Sequence, residues 1–187
     1  MIRRRVSPVS LCTFVAIVSF SLPLGAADIY VNRWDDAHNL CAIDGCSLRE
    51  AIDVANGNGE YDTIYLPAGT INLSRSGAGE NANDTGDLDI STSLTIVGRG
   101  PGVSIVDANH IDRVFDITSA SAAVFFQKMT IQNGGRYDMG GPGAGIRANA
   151  SWVKLLHCDV TGGLTPVGVS GAGISIVGNG TLWLEES

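Results

Sequence analysis

Ala123-Val124-Phe125-Phe126-Gln127-Lys128-Met129-Thr130-Ile131 and Trp152-Val153-Lys154-Leu155-Leu156-His157-Cys158-Asp159-Val160 carry one pattern twice, 29 residues apart. Val124 and Phe126 map onto Val153 and Leu155, and a further step of 29 reaches Leu182 and Leu184. The same offset takes Met129 and Ile131 to Cys158 and Val160, and a step of 30 backwards from Val124 and Phe126 lands on Leu94 and Ile96. The turns echo as well, since Gly143-Ala144-Gly145-Ile146 returns 28 residues later as Gly171-Ala172-Gly173-Ile174. Alternating apolar positions make short strands. A period in the high twenties with glycine at the corners is that of a stacked β coil. A leucine-rich repeat shares the length but brings a Leu and Asn spacing that is absent here. The sequence therefore predicts an all-β fold, a right-handed parallel β-helix. In this single-stranded solenoid each coil stacks its inward residues on those of the next.

Towards the N-terminus the period stays at two through Val103-Ser104-Ile105, Leu94-Thr95-Ile96, Leu88-Asp89-Ile90 and Thr63-Ile64-Tyr65-Leu66, all parted by Gly, Asn, Asp and Pro turns. It changes at Cys46-Ser47-Leu48-Arg49-Glu50-Ala51-Ile52. Ser47 and Glu50 stand in capping-box register, where the hydroxyl accepts from the Glu50 N–H and the carboxylate from the Ser47 N–H. Leu48, Ala51, Ile52 and Ala55 follow at i, i+3, i+4 and i+7, one apolar stripe of a short helix that Asn56 and Gly57 should end. Cys41 and Cys46, with four residues between them, are expected to form a disulfide just before this helix. Before them come a short strand, Ile29 to Asn32, and a polar loop.

The first 27 residues read as a secretory signal: Arg3, Arg4 and Arg5, an apolar stretch from Val9 to Leu24, then Gly25 and Ala27 before a cut at Asp28. The expected divisions are the signal peptide over 1–27, an N-terminal cap with disulfide and helix over 28–62, and β-helix coils over 63–187. An exported protein, secreted or held at the cell surface, follows. The mature chain has no second apolar stretch to span a membrane. Cys12 and three arginines leave with the signal, so nine basic residues face nineteen acidic ones. That balance repels nucleic acid. Cys158 shares the inward row with Met129 and is read as core. The Asn-X-Ser/Thr sites at Asn72, Asn83, Asn149 and Asn179 read as turn asparagines.

Residues 41–56, the run Thr63-Ile64-Tyr65-Leu66-Pro67-Ala68-Gly69-Thr70 and Gly86-Asp87-Leu88-Asp89-Ile90 resemble the CSLREA-type N-terminal domain, whose letters Cys46 to Ala51 spell without a departure. The resemblance implies a bacterial secreted or surface protein whose cap precedes a β-helix similar in fold to pectate lyase. It marks a scaffold, so Arg49 and Glu50 are expected to serve the cap rather than catalysis. An open β-helix end exposes unpaired strand groups, and the helix is expected to cover it.

If 94/96, 124/126, 153/155 and 182/184 point inward, the residues between them point out. The outward row is Thr95, Phe125, Lys154 and Trp183, with Trp152 on the same side as Lys154. Phe125, Trp152, Lys154 and Trp183 are the candidate ligand-contact row, suited to a polysaccharide or a host or cell-surface glycan. The functional expectation is a non-catalytic, adhesin-like or glycan-contacting scaffold. The alternative is a polysaccharide lyase or glycoside hydrolase of pectate-lyase-like fold with catalytic coils beyond residue 187. Such enzymes need clustered carboxylates, often with calcium, and a basic residue. Asp84, Asp87, Asp89, Asp107, Asp112, Asp116, His110 and Arg113 are available, but their spacing fits no calcium loop. No catalytic residue, metal site or cofactor is assigned. The last seven residues stop within a coil, and Ser187 falls where Cys158 and Met129 stood. The expectation is a fragment of a longer β-helix, or self-association through the C-terminal coil.

Overall fold

The computed structural model describes residues 25–42, 45–135, 141–149, 151–165, 168, 171 and 173–187. The signal-peptide reading falls mostly on residues 1–24, which lie outside the described residues, as do Ala150 and Ala172. No described helix is long and apolar enough to cross a membrane.

Among the described residues, twelve strands and one helix make a parallel β-solenoid of about four turns. The strands are β1 (Asp28–Tyr30), β2 (Asp62–Tyr65), β3 (Gly69–Asn72), β4 (Leu88–Ile90), β5 (Leu94–Val97), β6 (Ser104–Asp107), β7 (Phe115–Ile117), β8 (Ala123–Gln132), β9 (Ile146–Asn149), β10 (Trp152–Thr161), β11 (Ile174–Val177) and β12 (Thr181–Glu185). One sheet runs β1-β2-β5-β8-β10-β12, with β3 and β6 continuing beside the far half of β8. A second sheet runs β4-β7-β9-β11. Every strand pair in both is parallel.

The register is the one the repeat predicts. Ile29, Ile64, Ile96, Phe126, Leu155 and Leu184 are successive partners, and Leu94, Val124, Val153 and Leu182 form the row beside them. Met129 pairs with Cys158, and both are buried. Each such side chain contributes about 1.5–3 kcal/mol when wholly removed from water. The two sheets meet in the core through Phe115 and Phe126, whose ring centroids lie 4.8 Å apart. The long strands β8 and β10 turn a corner at Lys128 and His157, both in the left-handed region, so the bend recurs at one place in successive coils.

The helix, α1 (Leu48–Asn58), has the predicted cap: Glu50 N donates to Ser47 Oγ at 3.1 Å and Ser47 N to Glu50 Oε2 at 2.8 Å. Leu48, Ala51, Ile52 and Ala55 are buried, and the helix packs on β2 and β4. It does not end at Asn56 and Gly57 as expected. The Asn56 amide bridges to β4, donating to the Asp89 carbonyl and accepting from Ser91 N, while its backbone stays helical. The helix closes instead at Gly59, whose φ of 73° belongs to a left-handed C-cap.

Candidate functional site

The outward face of the large sheet carries the aromatic row. Thr95, Phe125, Lys154 and Trp183 are successive register partners on β5, β8, β10 and β12. Parallel strands lie about 4.8 Å apart, so these side chains form a ladder along the solenoid axis. Trp152 is 64% exposed and Trp183 61%. The Lys154 ammonium lies 5.4 Å from the Trp183 ring centroid and 2.8 Å from Glu185 Oε2, which holds the cation between ring and carboxylate. Phe125, Trp152, Val153, Lys154, Thr181 and Trp183 line an open groove of about 240 Å³. All four predicted contact residues are therefore together.

The far end of the row differs from the expectation. Thr95 faces outward but is buried, because Tyr61 lies over it with its hydroxyl 3.0 Å from Thr95 Oγ1. The Tyr61 ring meets Phe125 edge-on with centroids 6.3 Å apart. The sequence reading missed Tyr61, which stands just before β2 and outside the repeat.

The second sheet carries a charged ladder on its outer face. Asp89, Asp116, Arg147 and Ser175 are successive partners on β4, β7, β9 and β11. Leu88, Ile90, Phe115, Ile117 and Ile146 alternate with them into the core. Arg147 grips Asp116 with both arms, its Nε donating to Oδ1 at 3.0 Å and its Nη2 to Oδ2. Asp87, just before β4, joins this face, and the nearest ligand oxygens of Asp87, Asp89 and Asp116 all lie within 4.8 Å of one another. The three are only 3%, 1% and 2% exposed. Arg113 approaches Asp87 at 3.5 Å and Asp112 at 3.6 Å. Burial, then the like charges of Asp112, Asp89 and Asp116, push the Asp87 carboxyl up to about 8 against Arg113. Burial likewise carries Asp89 to about 7, against the Asn83 N–H and Arg49. Beside the cluster a groove of about 220 Å³ is lined by Asn81, Asp116, Thr118, Arg147, Asn149 and Val177.

The cluster is closed by the chain between β3 and β4, which α1 holds down. Arg49 is buried and bidentate with Asp36, with Nε–Oδ1 at 2.6 Å and Nη2–Oδ2 at 3.2 Å. Its remaining N–H groups donate to the carbonyls of Asn83, Gly86 and Asp87. Asp36 also accepts from the N–H groups of Ser74 and Arg75, so one ion pair joins the first loop, the helix and both ends of the covering segment. Asn83 and Asp89 bond reciprocally, backbone N–H to side-chain oxygen, each at 3.1 Å. Gly86 has φ of 65°, and a Cβ there would stand 2.5 Å from the Gly77 carbonyl oxygen and 2.8 Å from Asp112 Oδ2. Only glycine suits this approach.

Arg49 and Glu50 serve the cap. Besides its capping bonds, Glu50 accepts from Asn39 and Leu40 N–H and so fixes the loop ahead of the cysteines. Cys41 and Cys46 stand as a disulfide-forming pair with Cα atoms 4.3 Å apart. Cys158 is buried, and burial pushes its thiol pKa up, the opposite of what a nucleophile needs. Asp84 and His110 belong to neither ladder, and Asp107 instead accepts from Gln132 and Asn133.

No family model, curated protein or solved structure matches the chain.

Proposed function

We propose that this chain is an exported, non-catalytic β-solenoid of the CSLREA-domain type that contacts glycan through Phe125, Trp152, Lys154 and Trp183. The observation that carries the reading is the open groove these four residues form on one sheet face, with both indole rings largely in water. Exposed aromatic surface of this kind marks an interaction site. Flat rings offer the C–H faces of a sugar a large apolar contact, and the cation beside Trp183 adds a donor for hydroxyls or carboxylates. The strand ladder repeats this offer along the axis, which suits a polymer better than a single ring.

Depletion of the protein by a panel of insoluble polysaccharides, with the supernatants assayed for released sugar, tests the reading. The expected result is retention on at least one polymer without products, and at least ~10-fold weaker retention for Trp152→Ala and Trp183→Ala, as for aromatic anchors at interfaces. No retention on any glycan sinks the proposal.

One observation favours a second reading, a polysaccharide lyase or glycoside hydrolase. Asp87, Asp89 and Asp116 with Arg113 and Arg147 are the carboxylates and cations such chemistry uses. Their burial beneath the covering segment keeps a polymer away from them, which is why binding without cleavage is preferred. Soluble products in the same assay would reverse that preference.

A further inference from the structure

We propose that Asp87, Asp89 and Asp116 hold one divalent cation of the calcium class between the second sheet and the segment that covers it. This goes beyond the glycan reading and does not rest on it.

Two features point to the ion. First, the donor oxygens converge. Calcium binds oxygen at about 2.3–2.6 Å, so ligands on opposite sides of one ion lie up to about 5 Å apart. The three aspartates, from two adjacent coils, place their oxygens within 4.8 Å of one another. Second, one donor is left over. Asp89 is almost wholly buried; its Oδ2 accepts from Asn83 N, whereas its Oδ1 accepts no hydrogen bond. A buried carboxylate oxygen without a donor is costly, and a cation is the partner that acceptor-only groups share.

The Arg147 grip does not exclude Asp116 as a ligand. A carboxylate offers about four lone-pair sites, and two N–H donors occupy two of them. The role implied is structural, because the ion would join β4 and β7 to the covering segment, whose Asn83 is already bonded to Asp89.

The test uses the full mature chain, stripped with EGTA and desalted. Calorimetric titration with calcium chloride is expected to show one site per chain, and the melting temperature should rise when calcium is restored. Asp89→Asn and Asp116→Asn should each weaken the site at least 10-fold. Because the amide at position 89 removes like charge and can still accept from Asn83 N, Asp89→Asn should keep the wild-type circular dichroism and melt no lower than wild type in EGTA; Asp116→Asn also gives up the Arg147 pair, so it is read for calcium binding alone. That separates loss of the site from loss of the fold. Calcium heat retained in both variants would mean ordinary surface binding and would overturn the proposal. So would a wild-type chain that neither binds nor responds to millimolar calcium. Polysaccharide retention unchanged in the Asn variants leaves the aromatic row standing whichever way the calcium result falls.

Discussion

Phe125 and Phe126 are adjacent in sequence and opposite in environment. Phe126 sits in the stack between Ile96 and Leu155, fully buried against Phe115, whereas Phe125 lies half-buried in the outer groove. A carboxylate placed at Phe126 would have no partner, and the cost of burying it uncompensated is several kcal/mol. The same carboxylate at Phe125 can reach water. Phe126→Asp is therefore expected to abolish cooperative unfolding or lower the melting temperature far more than Phe125→Asp. Equal melting curves would show the faces to be assigned wrongly. These two residues were legible because a period of two leaves only one face for each. The aspartates were visible as available carboxylates, but their convergence was not. Leu88-Asp89-Ile90 and Phe115-Asp116-Ile117 are one inward–outward–inward triplet on neighbouring coils, at an offset of 27 that differs from the 29 of the long strands. Tyr61 had no such signal, since no repeat reaches it.

At the scale of the element, the cap shows what the motif spells. Ser47 and Glu50 close the helix start, Leu48, Ala51 and Ile52 bury its stripe, and Arg49 reaches past the helix to hold the covering segment. The capping box predicted the first role and the apolar spacing the second. The third was hidden, because an arginine in an amphipathic helix reads as exposed, and only the fold brings Asp36 and three carbonyls around it. Burial alone would raise the Glu50 carboxyl, but the N–H donors of Ser47, Asn39 and Leu40 outweigh it and hold the pKa below 4.5. The folded value is depressed, so this stabilisation is present above the unfolded pKa of 4.5 and is lost as pH falls through the folded value. Protection of the α1 amides, measured against the intrinsic exchange rate at each pH, should fall on acidification below that point, and Glu50→Gln should flatten the dependence. An unchanged profile in the variant would remove Glu50 as the cause. The cysteines should be linked in protein made under oxidising conditions, and peptide mass spectrometry without reduction should recover them as a pair. Two free thiols would end that expectation. So short a loop contributes only ~2 kcal/mol by chain entropy, so reduction should loosen the cap and leave the coils folded.

For the whole molecule, stability is a sum over neighbouring coils, since each inward row is buried only by the rows on either side. The middle rows are covered twice: Ile96, Phe126 and Leu155 are all buried. Leu182 and Leu184 occupy the same two rows on β12 but are exposed, as are Val177 and Trp183 near them. Among the described residues β12 pairs with β10 alone, and in a polypeptide of residues 28–187 its other edge would present unpaired backbone groups beside an apolar surface. Glu185 is the acidic residue of that strand, and it is drawn onto Lys154. An edge with these properties is a template for another strand. A purified polypeptide of residues 28–187 alone is therefore expected to associate through β12 in a concentration-dependent way, visible as a rising sedimentation coefficient in analytical ultracentrifugation. Lysine at Leu184, Leu184→Lys, should suppress that rise, because a charge on the open edge must be desolvated when a second coil docks. The opposite end supplies the internal comparison, since α1 packs there on β2 and β4. Association unaffected by Leu184→Lys but altered by changes in the cap would place the contact at the wrong end, and a monomer at every concentration would mean that β12 is tolerated as an open edge.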